Sequence, residues 1–214
     1  MTTGNIITTV LFDFDGVIAD TEGQYAIFFE ALAVTYPASV PDLAASVRGV
    51  TLPEIIARFF SDYPGETRLE IAGRIRGFEE GMDFRFIDGA GEFLREVKGR
   101  GYKMGLVTSS SAGKMSAALE RMELVDLFDA IVTSERVERG KPAPECYLLA
   151  AADLGVTPGE CVVFEDSIAG ITAGKRAGMK VAGVATTLPG EVIREHADVV
   201  LPGFADKNAA LAVL

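Results

Sequence analysis

Asp13 and Asp15 stand two residues apart at the end of a short apolar run, Val10-Leu11-Phe12-Asp13-Phe14-Asp15-Gly16-Val17. Carboxylates at the carboxyl end of a buried strand are costly to place without a partner. In open α/β sheets that edge is also where ligands bind. Three further segments carry suitable polar groups: Thr108-Ser109-Ser110-Ser111, Arg139-Gly140-Lys141-Pro142 and Glu165-Asp166-Ser167. The chemistry this set can perform is phosphoryl transfer. Asp13 can attack phosphorus and form an aspartyl-phosphate. Asp15 can protonate the leaving oxygen and then deprotonate water, so the two carboxylates need different environments. Lys141 can balance the charge on Asp13 and hold phosphate as a point charge. The Thr108 hydroxyl and the Ser109 N–H, beside a helix start, can hold phosphoryl oxygens.

Mg²⁺ is the expected cofactor, because a hard cation prefers a few carboxylates, waters and substrate oxygens. Asp13 and Asp166 are the expected ligands, with Glu165 supporting that shell and the Asp15 carbonyl as a further candidate. The net charge of −11 makes the same demand, since an acidic protein that handles phosphate must neutralise its site locally.

The elements that must position these groups follow from hydrophobic spacing. Ile6 to Phe14 reads as a first strand, its near-continuous apolar run suiting a parallel strand covered on both faces. Residues 18–84 change character. Tyr25, Phe28, Phe29, Leu32 and Tyr36 recur at helical spacing, and Pro53 precedes an apolar face of Ile55, Ile56, Phe59 and Phe60. After Phe84 strands and helices alternate. Strands are expected at Tyr102–Val107, Ala130–Thr133, Cys161–Phe164, Lys180–Val184 and Ala197–Leu201. That alternation predicts an α/β fold with a doubly wound parallel, Rossmann-like sheet. The gap from Asp15 to Gly101 far exceeds the dozen or so residues of a simple crossover. Residues 18–84 therefore read as an inserted helical cap on a core of residues 1–17 and 85–214. Parallel strands share a direction, so the four polar segments should converge on one edge. Alone, each fits a turn, a helix cap or a loop; their joint placement carries the argument.

The wording and order of these segments resemble the haloacid dehalogenase superfamily. The matching stretches are Phe12-Asp13-Phe14-Asp15-Gly16-Val17, Val107-Thr108-Ser109-Ser110, Gly140-Lys141-Pro142-Ala143-Pro144 and Phe164-Glu165-Asp166-Ser167 with Gly170. The helical insertion is similar to that superfamily's cap of the first type. The Lys-Pro-Ala-Pro and Phe-Glu-Asp-Ser wording is similar to the β-phosphoglucomutase and sugar-phosphate phosphatase branch. The resemblance implies the roles given above for Asp13, Asp15, Thr108, Lys141 and Asp166.

Neighbouring activities are weighed on single residues. The superfamily's dehalogenases lack the second carboxylate, which Asp15 supplies here. Its phosphonate hydrolases use a cap lysine, and residues 18–84 contain none. Its mutases carry a histidine where this chain has Tyr25, so a phosphatase acting on a small, sugar-like phosphomonoester is favoured over a mutase. Arg48 falls where the branch places a basic cap residue, and it is equally readable as a substrate contact or a solvated helix-end arginine. A signalling receiver domain is disfavoured because its acceptor aspartate ends the third strand. A non-catalytic binding member is disfavoured by the intact set of groups.

Bulk properties narrow the setting. Apolar residues are 49% and charged residues 24% of the 214, enough for a substantial core. The acidity argues against nucleic-acid or anionic-membrane partners. Cys146 and Cys161 read as buried free thiols, and no signal-peptide pattern is visible, so a cytoplasmic setting is expected. The expected partner is a small phosphate ester, with the protein a monomer or weak homodimer. His196, the single histidine, reads as surface or structural.

Overall fold

The structure, a computed structural model, describes residues 6–214. Six parallel strands form one sheet: β1 (Thr9–Phe12), β2 (Lys103–Val107), β3 (Ala130–Val132), β4 (Cys161–Glu165), β5 (Lys180–Val184) and β6 (Val199–Leu201). Their spatial order is β3-β2-β1-β4-β5-β6. Val10 registers with Met104 on one side and Val162 on the other, so β1 is central. The direction of winding reverses between β1 and β4, the crevice where doubly wound sheets bind ligands. β1 is shorter than the run Ile6–Phe14 suggested. Pairing to both neighbours begins at Thr9, and Ile6 is exposed. β6 also begins later than expected, at Val199.

Alternate residues of the strands feed two cores. Val10, Phe12, Met104, Leu106, Val162 and Phe164 face α5 (Ala90–Gly99), α6 (Ala112–Arg121) and α10 (Lys207–Leu211). Leu11, Val107, Val163 and Val181 face α7 (Glu145–Leu154), α8 (Ile168–Arg176) and α9 (Gly190–Arg194). Burial on both faces explains why the strands read as unbroken apolar runs rather than alternating ones. α10 has no counterpart in the sequence reading; its Ala210 is buried against the first core. Met104, Met115 and Met122 are core residues, and His196 is exposed, as expected. Both cysteines are buried and free, and burial pushes each thiol up to about 11, which keeps it protonated.

Between β1 and α5 the chain forms α1 (Glu22–Thr35), α2 (Leu43–Ser46), α3 (Leu52–Phe59) and α4 (Gly65–Glu80). α3 starts on Thr51, whose N–H donates back to the Glu54 side chain at 3.2 Å, with Pro53 in the first turn. These helices close a third core of Phe29, Leu32, Leu43, Ile55, Phe59, Ile71 and Ile75. The chain enters and leaves this unit side by side: Ile87 N–H donates to Ile18 O at 2.9 Å and Asp20 N–H to Arg85 O at 2.8 Å. The helical unit thus sits over the strand ends that carry the polar segments.

Candidate active site

The turn after β1 places the two aspartates. Gly16 adopts φ +75°, a left-handed conformation that glycine reaches without strain, and its carbonyl accepts from Thr186 Oγ1 at 2.5 Å. A Cβ at Gly16 would overlap Asp166 Oδ2 and Thr187 Oγ1. Gly16→Ala is therefore expected to cost about 1–3 kcal/mol of local strain. The melting temperature should fall by roughly 2–4 °C for each kcal/mol. A thermal melt matching the parent would contradict this account of the turn.

Asp13, Asp15, Thr108, Ser109, Ser110 and Asp166 line one cleft, closed from above by Phe29, Val47, Arg48 and Ile55 of the helical unit. Lys141 lies beneath its floor, 4% exposed, on the segment after β3. Its Nζ donates to Asp13 Oδ1 at 2.9 Å, Glu165 Oε1 at 2.6 Å and Val107 O at 3.2 Å. Burial works against that ammonium, but Asp13 and Glu165 outweigh it and hold its pKa well above the ordinary value. Asp13 is pushed from the ordinary 3.8 to about 7, first by burial and then by Glu165, with Lys141 opposing.

Glu165 has no free carboxylate oxygen. Oε1 accepts from Lys141 and from the Tyr147 hydroxyl at 3.2 Å, and Oε2 accepts from the Ser167 N–H at 2.9 Å and hydroxyl at 3.0 Å. Ser167 in turn caps α8 through the Gly170 N–H at 3.0 Å. A Cβ on Gly170 would collide with Glu165, so glycine is what lets the helix start approach this carboxylate.

Asp13, Glu165 and Asp166 each offer an oxygen within 4.8 Å of the others. Burial, then Glu165 and Asp13, raises the Asp166 carboxyl well above its usual range. Asp13 and Asp166, with Glu165 beside them and already hydrogen-bonded on both oxygens, form a buried acidic cluster that suits a hard divalent cation. The Asp15 carboxylate lies outside this trio, which leaves its main-chain carbonyl as the remaining ligand candidate on that residue.

The surroundings of Asp15 were not legible in the sequence. Lys114 Nζ donates to both of its oxygens, at 2.6 and 2.7 Å. Thr21 Oγ1 donates to Oδ1 at 2.6 Å and Ser110 Oγ to Oδ2 at 2.8 Å. Burial opposes the charge, but Lys114 and these hydroxyls outweigh it and hold the Asp15 carboxyl below its usual range. The two aspartates thus sit in opposite environments: Lys114 and the hydroxyls keep Asp15 an ionised carboxylate, as a base must be, whereas burial pushes Asp13 toward its neutral form with Lys141 opposing. One signal pointed to Lys114: it shares the helical phase of Ala118 and Met122, so a lysine falls on the buried stripe of α6.

The remaining predicted residues fall as follows. Thr108 is buried, with its Oγ1 accepting from the Ser110 N–H at 3.1 Å. The Ser109 hydroxyl is committed to Gly49 O at 2.7 Å, which leaves its N–H as the group to offer. Arg48 lines the cleft and pairs with Glu22 at 2.9 Å.

The sequence model of haloacid dehalogenase-like hydrolases matches residues 10–184, spanning every segment of this site. The chain belongs to this family. A Streptomyces hygroscopicus validoxylamine A 7'-phosphate phosphatase is 33% identical, over 92% of this chain and 93% of that protein. A phosphorylated carbohydrates phosphatase of Thermotoga maritima is 32% identical, over 90% and 92%. A Bacillus subtilis β-phosphoglucomutase is 31% identical, over 90% and 91%. The solved β-phosphoglucomutase of Clostridium difficile shares the fold, with a TM-score of 0.81 at 23% identity over 97% of each chain. The family member described here is therefore an enzyme of phosphate esters, of the phosphatase and phosphomutase kind. No helix among the described residues is long and apolar enough to cross a membrane.

Proposed function

We propose that this enzyme is a Mg²⁺-dependent phosphatase of a small, sugar-like phosphomonoester and works through an aspartyl-phosphate on Asp13. The observation that carries the reading is the pair of aspartates, each with its own buried lysine, facing one cleft with Thr108 and Ser109. Lys141 holds Asp13 Oδ1, so Oδ2 is the oxygen left to attack phosphorus. As the P–O bond to the leaving group breaks, Asp15 gives that oxygen a proton, which it takes up from solvent once it turns away from Lys114, the ammonium that keeps it ionised here. In the second half, Asp15 takes a proton from the water that attacks the phosphoryl group and regenerates Asp13. The Thr108 hydroxyl and Ser109 N–H hold non-bridging oxygens, and Lys141 offsets the negative charge gathered there. Asp13, Asp166 and the Asp15 carbonyl would hold Mg²⁺, which neutralises phosphoryl oxygens when bound. Glu165, with both oxygens engaged, acts through Lys141 and Ser167 rather than as a ligand. Arg48 is the basic group of the cap wall that a substrate oxygen would meet. A soluble monomer or weak homodimer in a reducing compartment is the setting that fits the acidic surface and free thiols.

The mutase reading draws on the β-phosphoglucomutase relative. Against it, Arg48, the one cation lining the cleft among the described residues, is already paired with Glu22, so a second phosphate has no ready counter-charge. A panel of sugar phosphates supplied with Mg²⁺ should release phosphate, and EDTA should abolish release. Silence across a broad panel would overturn the hydrolase reading. Conversion of β-glucose 1-phosphate to glucose 6-phosphate faster than phosphate appears would establish the mutase instead.

A further inference from the structure

The cation site proposed above, on which this inference rests, has a hydroxyl beside it that the reaction scheme leaves unused. Asp166 is 3% exposed and lines the cleft. Its neighbour Ser167 gives both its N–H and its hydroxyl to Glu165, so neither serves Asp166. The donor placed against Asp166 is Thr187, in the loop that follows β5. Thr187 Oγ1 is buried and has no hydrogen-bond partner among the described residues. A Cβ on Gly16 would stand 2.2 Å from Asp166 Oδ2 and 2.6 Å from Thr187 Oγ1, so these two oxygens crowd one point at the turn after β1. Thr187 does not itself line the cleft. Its loop is pinned from two sides: Thr186 Oγ1 donates to Gly16 O at 2.5 Å, and the Ala185 N–H to Leu201 O at 2.7 Å. β5 pairs with β4 and β6 but not with β1, so the loop reaches the β1 turn past the end of β4.

We propose that Thr187 is a positioning residue: its hydroxyl holds Asp166 Oδ2 and so leaves the other oxygen of that carboxylate to the cation. A carboxylate that binds a cation through one oxygen keeps a second that must find its own donor, and such outer partners tune metal affinity. A hydroxyl suits the task, because its single hydrogen rotates to the acceptor. Three features favour this over a packing role. A buried hydroxyl without a partner costs stability, and valine would fill the same space without that cost. Thr186 already anchors the loop, so the place of Thr187 does not depend on its own hydroxyl. Burial, then Glu165 and Asp13, raise the Asp166 carboxyl, and the Thr187 hydroxyl beside it works the other way, favouring the ionised form that a cation needs.

The test titrates the full-length protein with Mg²⁺ alone by calorimetry, and adds thermal melts with and without the ion. Thr187→Val should weaken Mg²⁺ binding by about tenfold or more, the usual cost of losing such an outer partner. Thr187→Ser keeps the hydroxyl and should bind Mg²⁺ as the wild type does. In metal-free buffer the valine variant should melt at or above the wild-type temperature, since an unpaired buried hydroxyl has been replaced by a methyl. Its gain in melting temperature on adding Mg²⁺ should be smaller than the wild type's. These opposite signs separate positioning from support of the fold, which would lower the metal-free melt. Should the valine variant not fold, Thr187→Ala removes the same hydroxyl and is expected to lose Mg²⁺ affinity likewise. Unchanged Mg²⁺ affinity without the hydroxyl overturns the inference and leaves the phosphatase reading standing. A wild type that binds no Mg²⁺ overturns the cation site and the inference together. Weakened binding in the valine variant of an enzyme that releases phosphate from no ester supports the inference and counts against the phosphatase reading alone.

Discussion

Asp13→Asn should abolish phosphate release, by about 10⁴-fold or more, while leaving the fold intact. An amide of the same shape keeps the packing at the end of β1 but cannot form the aspartyl-phosphate. Stability should move the other way as pH rises. The folded-state carboxyl of Asp13 sits near 7 against an ordinary 3.8, raised chiefly by burial. A raised carboxyl favours the folded state while it is protonated and disfavours it once ionised, so its contribution is lost as pH climbs from about 4 through 7. In metal-free buffer the melting temperature of Asp13→Asn should therefore gain on the wild type across that window. If Mg²⁺ binds the acidic cluster as proposed, it should reverse the order by stabilising the wild type. Melts at pH 5 and pH 8, with and without Mg²⁺, check both signs. Retained turnover in the variant would remove Asp13 from the nucleophile's role.

Lys141→Ala is expected to damage stability and activity together. Glu165 is fully buried and Asp13 nearly so, and both depend on this one ammonium. Removing one partner of a buried ion pair typically costs about 3–5 kcal/mol, because the remaining charge is left uncompensated. For a chain of this size that corresponds to a fall of roughly 6–20 °C in melting temperature. Adding Glu165→Gln should return part of the loss, since a neutral amide tolerates the dry site better than an unpaired carboxylate. Activity should stay lost, because the charge that opposes the attacking carboxylate and the phosphoryl group is still missing. Melts of the two single variants and the double variant form a cycle, with an expected coupling of more than about 1 kcal/mol. Additive losses would mean that Lys141 and Glu165 do not act as a unit.

Much of this enzyme was legible in its residues. The apolar runs fixed the parallel strands, because strands covered on both faces leave no polar alternation to misread. Their common direction then forced Asp13, Thr108, Lys141 and Asp166 toward one edge, and the length of residues 18–84 demanded an insertion there. These are consequences of local pattern and chain connectivity. What the sequence could not assign was which polar group spends its bonds on which neighbour. Glu165 and Asp166 are adjacent acids of equal standing in the sequence, yet the first spends its oxygens on Lys141, Tyr147 and Ser167, while the second lines the cleft beside Asp13. Arg48, in the turn after α2, reads as open to substrate or solvent, yet Glu22 at the start of α1 pairs with it. Lys114 looked like one more helix lysine, and its partner lies 99 positions away. Hydrogen bonds between distant segments depend on side-chain direction at a shared edge, and no periodicity records that direction. The chain alone therefore determined the fold and the candidate aspartates; tertiary packing decided how each aspartate is held, because burial forces every charge there to find a partner that only proximity in three dimensions can supply.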